Sequence, residues 1–290
     1  MLRVLTPARS LRLTTPERVA SDMGLSASAA TQFEDLVDEI SSEIESFVGY
    51  RLVRERVRET LESRGNRNMF LSRTPVASLE QTTFEDTVVS GVSVANPGTG
   101  EVYYRDQFDN TMPLDVWIRP SQGAAPGQPL WAFTYWAGFL TRDDDIVSGT
   151  LTAESATQEL VLTGDSWPYL VSGDAVAVEG FATEANNGRF VVLARVSDTR
   201  LRIETALTDE TVSGVATVVV RNLPGELERA VLDEAKTRYL SQSRASDITS
   251  ERIGDWSATY GNGSQVNQAT THGFSNRRTA EKLERWQRVV

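Results

Sequence analysis

The chain predicts an α+β fold: a helical body carrying a small antiparallel β-sheet, a further all-β region of small-barrel or sandwich type, and a C-terminal arm ending in a helix. Three observations predict it. Apolar residues recur at spacings of three and four over residues 33–48 and again over 227–239, the period of amphipathic helices. An aromatic run, LWAFTYWAGF at 130–139, is followed by evenly spaced strand-like runs up to residue 220. Beyond Gly261 the chain turns polar and glycine-containing before a last apolar helical pattern.

Residues 1–14 alternate arginine with Leu and Val. Thr14-Thr15-Pro16-Glu17 reads as a cap with Pro at the first helical position, opening a short helix over 16–22 that Gly24 ends. Ser26 or Ser28 can cap a longer helix whose Phe33, Leu36, Val37, Ile40, Ile44, Phe47 and Val48 share one face. Its other face is acidic: Glu34, Asp35, Asp38, Glu39, Glu43 and Glu45. With no basic neighbour in the helix, like charges at i,i+4 cost a few tenths of a kcal/mol per pair. Two readings fit, a solvated face or a surface that meets arginines of a neighbouring subunit or lines a conduit.

Gly49-Tyr50-Arg51 closes this helix. Residues 52–61 alternate partly with period two and predict a strand; Arg64 to Arg67 is a turn, Met69–Leu71 a second strand, and Pro75 begins a third. Short strands are expected between 84 and 128, around Val102–Tyr104 and Leu114–Ile118, with a loop from Gly123 to Pro129. The aromatic run predicts a central strand packed on both faces. Strand candidates follow at 160–162, 176–178, 190–196, 201–203 and 215–220, and Asn187-Gly188 is the strongest single hairpin signal. Pro224, Glu226 and Glu228 then open a helix whose stripe is Leu227, Ala230, Val231, Ala235 and Tyr239. Ser241 to Ser250 is a polar hinge, and Glu251 to Tyr260 a short extended segment with two aromatics. Asn276 can cap a final helix with Ala280, Leu283, Trp286 or Gln287, and Val290 near one face, too short to be stable without a surface to bury against.

With 290 residues, 40% of them hydrophobic, the chain can bury one large core or two small ones. It has no cysteine, which excludes a disulfide framework and thiolate metal sites. No apolar run reaches the roughly 20 residues needed to span a bilayer, and no signal peptide is evident, so a soluble protein without membrane contact is expected. The net charge of -11 argues against a DNA-wrapping protein, which needs a basic face. The motif search nominates no catalytic residue, cofactor or metal ligand. His272 stands in a Thr/Gly/Ser loop without an identifiable nucleophile, Asp143-Asp144-Asp145 lacks the spacing of a calcium loop, and phosphate-loop, dinucleotide and HExxH patterns are missing.

The stretch LPGELERAVLDEAKTRYLSQSRASDITSERIGDWSATY, Leu223 to Tyr260, together with IESFVGYRL at 44–52, resembles the head-tail connector (adaptor) proteins of tailed bacteriophages. In that family a strand like the one ending at Gly138 leads by a short loop into the helix that opens near Pro224. Here roughly 80 residues intervene. The resemblance therefore divides the chain into a connector body at 1–140, an inserted β domain at 141–222, a body helix and extended segment at 223–260, and a portal-docking arm at 261–290. It implies a structural protein and not an enzyme: a ring, usually of twelve copies, beneath the portal protein, joining capsid to tail at the virion neck after synthesis in the host cytoplasm. Its partners would be the portal, neighbouring copies, a tail-side neck or tail terminator protein, and genomic DNA that passes through the lumen without sequence-specific binding. Leu283, Trp286, Val290, Arg277 and Arg278 are then candidates for portal docking, and Arg244, Glu251, Arg252, Asp255, Trp256 and Tyr260 for contacts between subunits. Two rivals are a phage-associated binding protein whose β lobe recognises a glycan or a capsid subunit, and a hydrolase, which has no motif behind it.

Overall fold

In the computed structural model, residues 1–62, 69–105, 111–112, 130–144, 149–213, 216–219, 221–243, 250–253, 256–259 and 274–287 are described. They form two compact units, one from Met1–Ser10 with Arg51–Asn222 and the other from Leu11–Tyr50 with Leu223–Val290.

Among its described residues the first unit is strand and loop apart from two short 3-10 turns. Its strands are β1 (Leu2–Thr6), β2 (Glu55–Glu62), β3 (Met69–Phe70), β4 (Val76–Phe84), β5 (Thr87–Val88), β6 (Val92–Asn96), β7 (Glu101–Arg105), β8 (Thr111–Met112) and β9 (Leu130–Ala137), then β10 (Thr150–Glu154), β11 (Glu159–Thr163), β12 (Ala175–Glu179), β13 (Gly188–Ser197), β14 (Arg200–Ile203), β15 (Glu210–Ser213) and β16 (Ala216–Val219). A five-stranded antiparallel sheet runs in the order β1-β2-β9-β4-β5, and β3, β7, β6 and β8 make a second. The aromatic run is β9, central between β2 and β4. Its Trp131, Phe133 and Tyr135 are fully buried with Val57, Met69, Leu71, Val76 and Val102. Each such ring contributes about 1.5–3 kcal/mol by leaving water. The opposite face is only half covered, with Leu130 at 45% exposure. Packing on both faces was the expectation from the run of aromatics; an antiparallel sheet can leave one face partly to water, and here period-two alternation puts Trp131, Phe133 and Tyr135 on the buried side and Trp136, packed 4.8 Å from Tyr169, on the other. At the end of β9 the backbone of Phe139 bridges to Val53. Gly138, with φ of 98°, permits that approach, since a Cβ there would lie 2.3 Å from the Val53 carbonyl oxygen.

Residues 150–219 form one seven-stranded antiparallel sheet, β15-β10-β11-β14-β13-β12-β16. Its own core includes Leu151, Leu160, Trp167, Val176, Phe190 and Ile203. Among the described residues this path is open, neither a closed barrel nor a two-sheet sandwich. Asn187-Gly188 does not form a two-residue hairpin. The Asn187 side chain instead stitches a longer β12–β13 loop, accepting from the Gly180 and Phe181 amides at 2.9 and 3.0 Å and donating to the Phe181 and Thr183 carbonyls.

The second unit holds α1 (Pro16–Asp22), α2 (Glu34–Val48), α3 (Gly225–Ser243), α4 (Arg277–Leu283) and a two-stranded ribbon of β17 (Ser250–Ile253) and β18 (Trp256–Thr259). Thr15 caps α1, its hydroxyl accepting from the Arg18 amide, and Gly49 closes α2 in the left-handed region. The apolar stripe of α3 is buried at Leu227, Ala230, Val231 and Ala235. Its start beside Pro224 matches the expectation, and the segment after the hinge is the β17–β18 ribbon.

The expected fold class is nonetheless corrected. The chain is mostly β and not a helical body with a small sheet: the described residues hold eighteen strands against four α-helices. Two physical reasons account for the difference. β1 was read only as alternating Arg and apolar residues, although Val4 pairs with Val57 across the sheet. β2 is a strand as its partial alternation predicts, but nothing in its Glu55, Arg56, Arg58 and Glu59 shows that it sits inside a five-stranded sheet, between β1 and β9. Leu114–Ile118, Gly123–Pro129, His272 and Gly261 lie outside the described residues.

Candidate assembly surfaces

The acidic face of α2 is largely answered inside its own unit. Arg12 makes a two-pronged pair with Asp38 at 2.6 and 3.0 Å, and its hydrogen bond holds the Asp38 carboxyl below the usual carboxylate range. Arg238, one face of α3, reaches Glu39 at 3.2 Å, Glu43, and Glu234 at 2.9 Å. Burial works against the Arg238 charge, but the hydrogen bonds it donates to Glu43 and Glu234 outweigh it and raise its pKa. Glu45 is buried. Glu34 and Asp35, in the first turn of α2, stay exposed, where they complement the helix dipole.

The docking candidates sit as follows. Leu283 is fully buried in the second unit's own core, with Phe274, Thr279 and Ala280. Phe274 packs edge-on against Phe47 of α2 at 5.4 Å. Trp286 is half-buried, with the Arg285 guanidinium 5.7 Å from its ring. Arg277 and Arg278 lie in the first turn of α4. Val290 is outside the described residues. Of the inter-subunit candidates, Glu251 and Arg252 lie on β17 and Trp256 on β18, where Glu251 pairs with Ala258 and Arg252 with Ser257; Arg244, Asp255 and Tyr260 are outside the described residues.

The segment 274–287 is held to α3 by charge as well as packing. Glu234 is fully buried on the apolar stripe, two helical turns after Leu227, and its carboxylate accepts from the amides of Ser275 and Asn276 at 2.7 and 3.0 Å. Lys282 pairs with Asp233 at 2.7 Å. The sequence carried a signal for this latch, an acid at an in-facing position, that the reading of the stripe passed over.

In the first unit a similar signal marks Glu59. Val57, Glu59 and Leu61 share the inner face of β2, and Glu59 is 2% exposed. Its carboxylate accepts from the Tyr135 hydroxyl at 2.7 Å, the Ser72 amide at 2.8 Å and the Ser72 hydroxyl. Burial, with the Glu59 charge beside it, pushes the Tyr135 hydroxyl pKa up. Arg54 pairs with Asp174 in a buried contact that ties the start of β2 to the seven-stranded sheet, and donates further to the Tyr169 carbonyl at 3.3 Å. The chain leaves for that sheet and returns at one place: the Leu140 amide donates to the Asn222 side chain at 2.6 Å.

Among the described residues no group of His, Asp or Glu is placed to hold a metal ion, and no helix is long and apolar enough to cross a membrane. Against known proteins, no family model matches the chain and no curated protein is similar to it.

Proposed function

We propose that this chain is a structural adaptor of a tailed-phage neck, assembling with copies of itself into a ring beneath the portal protein, through which genomic DNA passes on its way to the tail. One observation carries the reading. The two segments that resemble the connector family, 44–52 and 223–260, lie more than 170 residues apart in sequence, yet Ile44–Tyr50 and Leu223–Val290 belong to the same compact helical unit. Residues that fold together can act as one recognition element. The net charge of -11 also supports a conduit role, since an acidic lumen repels phosphate and does not trap the passing genome.

The geometry changes the docking scheme. Leu283 is already committed to the unit's own core, so contact with the portal rests on Trp286 and on the polar surface of the docked segment, with ring multiplicity adding weak single contacts into stable attachment. The test is co-expression with a portal protein followed by negative-stain imaging. A ring of this chain seated on the portal is the expected result; portal rings that never carry it overturn the proposal.

A further inference from the structure

The wet face of the five-stranded sheet carries two arginines that no described residue pairs with. Arg3 on β1 and Arg58 on β2 are direct cross-strand partners, so their side chains stand side by side on one face. Both are exposed, and neither has a side-chain partner among the described residues. Arg56, two positions along the same face, is different: it pairs with Glu80 at 2.7 Å. Like charges directly opposite each other destabilise a sheet, and this pair does so in a chain with forty acids to choose from.

On the helical unit, Glu34 and Asp35 are the counterpart. After Arg12 and Arg238 have taken Asp38, Glu39 and Glu43, these two adjacent carboxylates remain exposed and without a side-chain partner among the described residues. We infer that the Arg3–Arg58 face of one copy receives the first turn of α2 from a second copy. The contact joins two different surfaces and so propagates head to tail, the geometry that closes into rings. It rests on the assembly reading above and names the surfaces that reading needs.

A phosphate backbone is the poorer occupant. The cations lie on β1 and β2, while Glu85 and Asp86, in the turn between β4 and β5, line the same depression as Arg58, Thr60, Thr83 and Leu130. A polyanion crossing this face would meet acids two strands on; a compact pair of carboxylates over β1 and β2 does not.

The test uses the full chain alone, followed by mass measurement in solution over a concentration series. Arg3→Glu with Arg58→Glu, and separately Glu34→Arg with Asp35→Arg, should each raise the concentration needed for assembly by at least about tenfold, the loss of one close charge pair. Mixing the two reversed chains should restore assembly, because each then presents the charge the other lacks. Arg58→Thr keeps a β-compatible side chain and relieves the repulsion, so it should raise the melting temperature while weakening assembly; a merely structural arginine would not move the two in opposite directions. A wild-type chain that stays monomeric at high micromolar concentration, reversals that leave the mass unchanged, or a mixture that stays dissociated overturns the inference. So does loss of salt-dependent DNA retention with assembly intact, which reassigns the arginines to phosphate. Self-assembly that responds to these changes without any portal binding would sink the neck proposal and leave this contact standing.

Discussion

Glu59 and Glu234 are both carboxylates on the apolar face of a regular element, both almost or wholly out of water, and they do different work. Glu59 is satisfied by neutral donors, the Tyr135 and Ser72 hydroxyls and the Ser72 amide, all within one β core. Glu234 is satisfied by a cation one turn along its own helix and by two amides at the start of a separate segment about forty residues on. The first carboxylate is a piece of the core; the second is a latch. What separates them is not burial or residue type but whether the partners can leave together.

The largest expected effect tests the core half of that contrast. Glu59→Ala orphans the buried Tyr135 hydroxyl and two part-buried Ser72 donors and should cost about 3–5 kcal/mol in urea unfolding, since each interior donor left without a partner costs about 1–3 kcal/mol. Glu234→Ala should cost less, about 1.5–3 kcal/mol, because Arg238 keeps Glu43 and the freed amides can reach water once the segment lifts. Hydrogen exchange should then rise in 274–287 and stay low in β2 and β9; a rise spread through the first unit, or a larger loss than for Glu59→Ala, would erase the distinction. The smallest effect is a pH dependence of the helical unit. The folded pKa of Asp38 is depressed by its Arg12 hydrogen bond, so the pair contributes stability above the unfolded Asp pKa of about 3.9, and that contribution is lost as pH falls through the lower folded value. Thermal melts of Arg12→Gln should lie below wild type at pH 7, where the pair is intact, and decline less below about pH 4, so that the two converge in acid.

The same contrast explains what the sequence disclosed. Elements held by local period were legible: α2 with Gly49 at its end, α3 after Pro224, and strands at 160–162, 176–178, 190–196 and 201–203 all stand where the spacing puts them. The balance of the fold was not, because β1 pairs with β2 more than fifty residues away and nothing in LRVLT alone says whether it joins a sheet. Site chemistry was least legible. Arg238 meets Glu43 across 195 residues and Arg54 meets Asp174 across 120, separations over which no pattern in the chain carries a signal. The in-facing acids were the exception: Glu59 between Val57 and Leu61, and Glu234 between Val231 and Ala235, break their stripes where a partner is needed.

The junction at Leu140 and Asn222 bears on how such a chain can be recombined. Because the chain leaves for the seven-stranded sheet and comes back across one hydrogen bond, the sheet has the ends of an exchangeable cassette. Arg54, however, belongs to the recipient and its buried partner Asp174 to the cassette. An exchange that leaves position 54 alone strands a guanidinium in the interior, so a swap has to carry that residue along with Trp136, whose ring packs 4.8 Å from Tyr169, and Arg9, which pairs with Asp165.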